Sequence, residues 1–291
     1  MTTTDLSTVR EAALDLALAT WYDESLRLLD ATTPATGDAQ GRVLLALTAA
    51  DVADRADHVF GRTEAPKRFE VLDAELAGYE PDPSLAWNVA WVRLRRAYSL
   101  AIRNPDGSYR MGPGGREPGE ADTLVAEATR LRDAAPDEVR RGWASVCLGW
   151  ITDNVLADRD SAPAHYEVGL AAARASGDPV LLFEAQRHLG DHAHDDGDPV
   201  GARERWEEST AAGGRARHIG GTLAQQLLLA VLHRDEGDEA GARAIAGEVL
   251  RWAGALGAVG QVRQAEAFLA GVDPTRAPDD VELGERPARS R

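Results

Sequence analysis

Apolar positions along the chain recur at helical spacing, in stretches that come two by two with short breaks between them. Leu14, Leu18, Trp21, Leu26 and Leu29 share one stripe of a first helix that Asp5 or Ser7 can cap and that runs to about residue 30. A Thr-, Pro- and Gly-containing stretch at 31–37 ends it. Paired amphipathic segments follow at about 38–60 and 64–77, 84–103 and 119–134, 137–157 and 161–176, 178–196 and 199–212, and 218–236 and 239–256. A short helix at about 259–269 closes the series. There are no alternating Val/Ile/Thr runs and no hairpin dipeptide between such runs, so the pattern predicts an all-α chain with no sheet.

The first members of these pairs start near residues 38, 84, 137, 178 and 218, and the last two spacings are about 40 residues, which marks internal repetition. The clearest unit spans 183–214. It holds Leu189-Gly190, then Ala193, Gly197-Asp198 at the turn, Ala202 and Trp206. Small residues stand where two backbones would cross, a large ring fills the space between helices, and Gly197 suits a tight turn. Forty residues on come Leu229, Ala230, His233, Gly237-Asp238 and Ala242, with Ala246 at the aromatic position. Leu148-Gly149, Ala162 and Tyr166 precede it, and Val52-Ala53, Ala56, Ala65 and Phe69 stand earlier still.

Over residues 38–256 this pattern resembles the tetratricopeptide repeat family. The resemblance implies a right-handed solenoid of antiparallel helix pairs, about five repeats between N- and C-terminal capping helices. On that footing residues 1–37 form the N-terminal cap, 38–270 the array, and 271–291 a Pro-rich charged tail expected to be disordered. The unit at 84–134 fits least well and carries a Gly/Pro-rich insertion at 104–119 whose Tyr109, Arg110 and Met111 could fold over a groove.

The resemblance also implies that one face of each first helix lines a concave groove. Counted from the packing residues, that face holds Leu47, Ala50, Asp54, Asp57 and His58; Trp143, Val146, Trp150, Asp153 and Asn154; Glu184, Arg187, Asp191, His194 and Asp195; and Arg234 with Asp235. Trp87, Trp91, Arg95 and Arg96 are candidates whose register is ambiguous. Carboxylates beside tryptophans suit a cationic or amine-bearing ligand; the same residues also read as a solvated acidic face.

Chemical motifs are few. His188 and His192 are four apart, a zinc-compatible spacing, but no Glu follows His188, and they are expected on a different face from Asp191 and His194, so no metal site is assigned. Gly112, Gly114 and Gly115 follow no strand and make no phosphate loop. The single cysteine, Cys147, reads as a core thiol and excludes an internal disulfide. The net charge of −16, with Lys67 the only lysine, argues against a nucleic-acid partner. No apolar run is long enough to span a bilayer and no signal peptide is visible, so a cytoplasmic, cofactor-free protein is expected. Three functions remain open: a binding module for a peptide, a partner protein or a small cationic ligand; an enzyme or accessory protein of a bacterial biosynthetic pathway using the Trp/Asp/His groove; and a regulator without its DNA-binding domain. Closure of the groove separates the first two.

Overall fold

The computed structural model describes residues 5–33, 36–104 and 109–273. Thirteen α-helices occupy them, and the only extended pairing among the described residues is an isolated bridge between Arg103 and Tyr109. They are α1 (Leu6–Leu18), α2 (Tyr22–Thr32), α3 (Ala39–Phe60), α4 (Ala65–Leu76), α5 (Pro83–Ala101), α6 (Glu120–Asp133) and α7 (Glu138–Asn154), followed by α8 (Ala162–Ser176), α9 (Pro179–Asp195), α10 (Pro199–Arg215), α11 (Ile219–Asp235), α12 (Glu239–Leu256) and α13 (Val259–Leu269). The helices pack in successive pairs, with α5 set on α3, an arrangement compatible with a helical repeat solenoid. No helix is long and apolar enough to cross a membrane. The tail expected at 271–291 lies, from 274 on, outside the described residues.

Aspartates start many of these helices. The carboxylates of Asp5, Asp38, Asp82, Asp137, Asp178, Asp198 and Asp238 accept hydrogen bonds from first-turn amides. Part of the acidic charge is therefore spent on free N–H groups and favourable helix dipoles. The equivalent turns after α9 and α11 use Gly197 and Gly237, at φ 79° and 89°. There Asp198 N–H donates to Ala193 O at 2.9 Å, and Asp238 N–H to His233 O at 2.8 Å. A residue with a Cβ would be strained at either glycine.

The inter-helix core follows the repeat residues. A methyl group at Gly149 would stand 2.4 Å from the ring of Tyr166, and one at Gly190 2.4 Å from Trp206. Both rings are fully buried. In the next unit Ala230 and Ala246, both buried, replace the glycine and the ring. Cys147 is wholly inside the cluster with Leu94, Leu131 and Ile151, and burial pushes its thiol pKa up to about 12. The α5–α6 pair departs from this regularity. An open groove of about 480 Å³ remains beside it, lined by Leu76, Val89, Leu94 and Leu124 among others.

The N-terminus differs from the single helix expected through residue 30. Thr20 sits at φ 69°, which breaks the segment into α1 and α2 and leaves Trp21 54% exposed. No Gly or Pro marks this break. It is held by Trp21 N–H donating to Leu16 O at 2.8 Å and by the buried Ser25 hydroxyl donating to Ala13 O at 2.7 Å, which folds α2 back on α1. Tertiary contact overrides helix propensity here.

The array bends until its end meets its beginning. α13 packs on α3 as well as on α11 and α12. Arg217 pairs with Asp15 at 3.8 Å. A side chain at Gly220 would meet Thr20 Cγ2 at 3.4 Å, and one at Gly257 would meet the Phe60 ring at 3.9 Å. The last helices of the array thus lie against the first.

Candidate functional site

Helices α3, α5, α7 and α9 carry side chains that tie neighbouring helices together. Asp51 on α3 accepts from Arg55 on its own helix and from Arg95 on α5, while Asp54 accepts from Arg96 at 3.1 Å. Trp87 and Trp91 stack with centroids 5.8 Å apart, and Trp91 meets Trp143 of α7 at 6.1 Å. Tyr98 stacks on Trp150 at 5.6 Å and takes a hydrogen bond from Asn154 at 2.6 Å. Trp150 meets His188 of α9 at 6.3 Å, and His188 stacks on Tyr166 at 4.7 Å. An aromatic wall therefore runs from α5 through α7 to α9, facing a charged cluster on α3 and α5.

Several predicted site residues are already committed within the fold. The Asp57 carboxylate accepts from the backbone N–H groups of Glu64 and Ala65 at 2.9 and 3.0 Å, so it caps α4. Asp153 is buried and accepts from the Tyr166 hydroxyl at 2.7 Å, with His192 Nε2 at 3.0 Å. His194 Nε2 lies 3.2 Å from Asp235 of the next unit, and Asp195 pairs with Arg159 at 2.5 Å. Arg234 pairs with Asp235 and Asp273, both at 2.8 Å, and its guanidinium stands over Phe268. Trp143 and Trp150 are half-buried in the aromatic wall.

Glu184, Arg187 and Asp191 lie half-buried on α9. The carboxylate of Glu184 has the His188 ring as its near neighbour, Nε2 at 3.8 Å, and burial raises its pKa against the pull of Arg187, Arg95 and Arg55. Those three arginines stand on three different helices, so the charges of α3, α5 and α9 converge. Asp191 accepts from Trp206 Nε1 at 3.0 Å, and burial pushes its pKa up to about 6. His188 lies 3.7 Å from Asp191 and 3.8 Å from Glu184, on the same side as both. The sequence reading put it on another face, but neighbours three and four apart on a helix share one. His192 is indeed turned away, to Asp153. Among the described residues no group of three or more His, Cys, Asp or Glu is placed to hold a metal ion.

Asp51, Arg55 and Arg103 also belong to this neighbourhood and were not singled out beforehand. The spacing Asp51-x-x-Asp54-Arg55, followed by Arg95-Arg96 on the next first helix, was the available signal. The insertion packs on the helix ends beside them. Arg103 donates to the carbonyls of Asp57 and His58 at the end of α3, and Arg110 and Arg116 donate to Ala101 O at the end of α5. Gly112 N–H donates to Asn154 O at the end of α7 at 2.8 Å. Guanidiniums placed on terminal carbonyls satisfy free acceptors and the negative helix ends together. Tyr109 meets the His58 ring at 6.5 Å. The expected fold of Tyr109 and Arg110 over the groove thus takes the form of a cap on helix ends; residues 105–108 of the insertion lie outside the described set.

No protein-family model matches the chain, and no match is found among curated proteins. The likeness to tetratricopeptide repeats therefore rests on the residues and helix pairs described above.

Proposed function

We propose that the protein is a tetratricopeptide-like, right-handed array that works as a binding module, holding a small ligand with a cationic group beside the side chains that link α3, α5, α7 and α9. The observation that carries this reading is Glu184. Its neighbours Asp51 and Asp54 already accept from guanidiniums, whereas Glu184 keeps a largely buried carboxylate with no guanidinium within 4.0 Å among the described residues. A buried carboxylate without a charge partner is costly, and a ligand ammonium offsets that cost. Trp150 and His188 supply flat faces beside it. Titration calorimetry with 1,4-diaminobutane tests the reading. Glu184→Gln is expected to weaken binding about tenfold or more, in line with loss of a charge-assisted hydrogen bond. Unchanged affinity in that variant refutes it.

A catalytic use of the same residues is the second reading. Asp191, with a pKa of about 6 and His188 at 3.7 Å, is suited to take or give a proton near neutral pH.

A further inference from the structure

Along most of the array the second helix of a pair covers the first helix of the next one. α2 packs on α3, α6 on α7, α8 on α9, α10 on α11 and α12 on α13. α4 makes no comparable contact with α5. The groove of about 480 Å³ opens at that break, with α5 as its floor and α4 and α6 as its sides. Its volume falls in the range of about 300–1,000 Å³ that holds small molecules. From Ala86 to Ala97, both of which line it, it follows α5 for about 16 Å.

The gap is too narrow for another helix. Arg93 on α5 still reaches Asp73 on α4, and Arg96 stands over the Phe69 ring at 5.0 Å. A helix with its side chains is about 10 Å across, so these bridges leave room for a thinner occupant. The lining is aliphatic: Leu76, Val89, Leu94 and Leu124 form its apolar surface, and among the described residues no aromatic ring lines it. Such a surface suits a flexible alkyl chain rather than a flat ring, and burying that chain supplies the driving force. Charge selects the other end of the occupant. Arg93 and Arg130 line the groove against one carboxylate, Glu127, in a chain whose net charge is −16. Both arginines are more than half exposed, and so is Asp73, the partner of Arg93; Glu127, the partner of Arg130, is partly exposed. Ion pairs in such positions are weak, so an incoming anion competes for the guanidiniums.

We propose that this groove binds one free long-chain aliphatic carboxylate, its chain laid along α5 and its acid group at the rim with Arg93 and Arg130. The site shares no residue with the Glu184 cluster and stands independently of it.

Titration calorimetry of the full-length chain with dodecanoate below its micelle concentration tests the proposal, with dodecyltrimethylammonium at the same ionic strength as the control. One dodecanoate per chain is expected to bind, about fivefold or more tighter than the cation. Arg93→Gln combined with Arg130→Gln should remove that preference. Ala86→Trp and Ala97→Trp, at two exposed groove positions, should each weaken dodecanoate about tenfold or more by filling its place. No saturable binding, a preference for the cation, or undiminished binding in both Trp variants overturns the proposal. So does sedimentation that shows concentration-dependent dimers dissolved by Ala86→Trp, since the groove then belongs to a second copy of the chain. None of these outcomes bears on 1,4-diaminobutane at Glu184.

Discussion

Gly190 lies so close beneath the indole of Trp206 that a methyl group there would stand 2.4 Å from Cδ1. The contact also positions the site, because Trp206 Nε1 donates to both Arg187 O and Asp191 Oδ1, at 3.1 and 3.0 Å. Gly190→Ala is therefore expected to destabilise by about 1–3 kcal/mol, as overpacking does. Gly214→Ala is the control: nothing lies within 4 Å of its added methyl group, and it should be neutral or stabilise by up to about 1 kcal/mol. Chemical denaturation of both variants measures the difference, and equal effects would mean the helix crossing is not where it is drawn. Trp206→Ala, which empties the same crossing, should cost roughly 3–5 kcal/mol.

Asp57 and Glu184 both lie on a first helix but should respond differently to loss of charge. Asp57 caps α4 through two backbone bonds, so Asp57→Ala should cost about 0.5–2 kcal/mol of stability and leave the affinity for 1,4-diaminobutane intact. A large loss of affinity in Asp57→Ala would return that carboxylate to the site.

Acid should weaken the fold, and Asp191 should blunt the effect. His58 and His218 have folded pKa values of about 3 and 4 against 6.5 unfolded. The unfolded chain then binds protons that the folded chain refuses, so their stabilisation is full above about pH 6.5 and is lost as pH falls towards 4. Asp191 has a folded pKa of about 6 against 3.8, so its contribution is present below pH 3.8 and lost as pH rises through 6. Urea midpoints between pH 4 and 7 should fall on acidification. They should fall more steeply in Asp191→Asn, which removes the opposing group. A shallower acid limb in the variant would contradict the raised pKa of Asp191.

The ion pair at the closure should contribute little. Asp15 and Arg217 are both largely exposed and 3.8 Å apart, so Asp15→Asn should change stability by less than about 1 kcal/mol. The apolar contacts of the same seam carry more. Phe60, which meets Tyr22 edge-on at 5.4 Å, should when changed to Ala speed amide exchange at the starts of α11 and α13. Exchange confined to the Phe60 neighbourhood would show that the two ends of the array are not coupled.

Helix positions, caps and packing registers could be read in advance because they depend on neighbours within a few residues. Asp198 and Asp238 announce the starts of α10 and α12, and Leu189-Gly190 with Trp206 announces a helix crossing. The split at Thr20 escaped that reading, since nothing local breaks the helix and the buried Ser25–Ala13 bond that holds the turn forms only once α2 has folded back. The site was legible only as a list of face residues. Which of them are free depends on partners far along the chain: Asp54 is taken by Arg96, 42 residues on, and Asp153 by His192, 39 residues on. Closure is more remote still. It is the sum of small rotations between successive helix pairs, each set by how side chains interlock at one interface. Periodicity fixes which residues face a partner but not the angle at which two faces meet. The sequence alone therefore determined the helices and their pairing, and tertiary packing alone brought Arg217 to Asp15 and left Glu184 with the His188 ring, and no guanidinium, within 4.0 Å among the described residues.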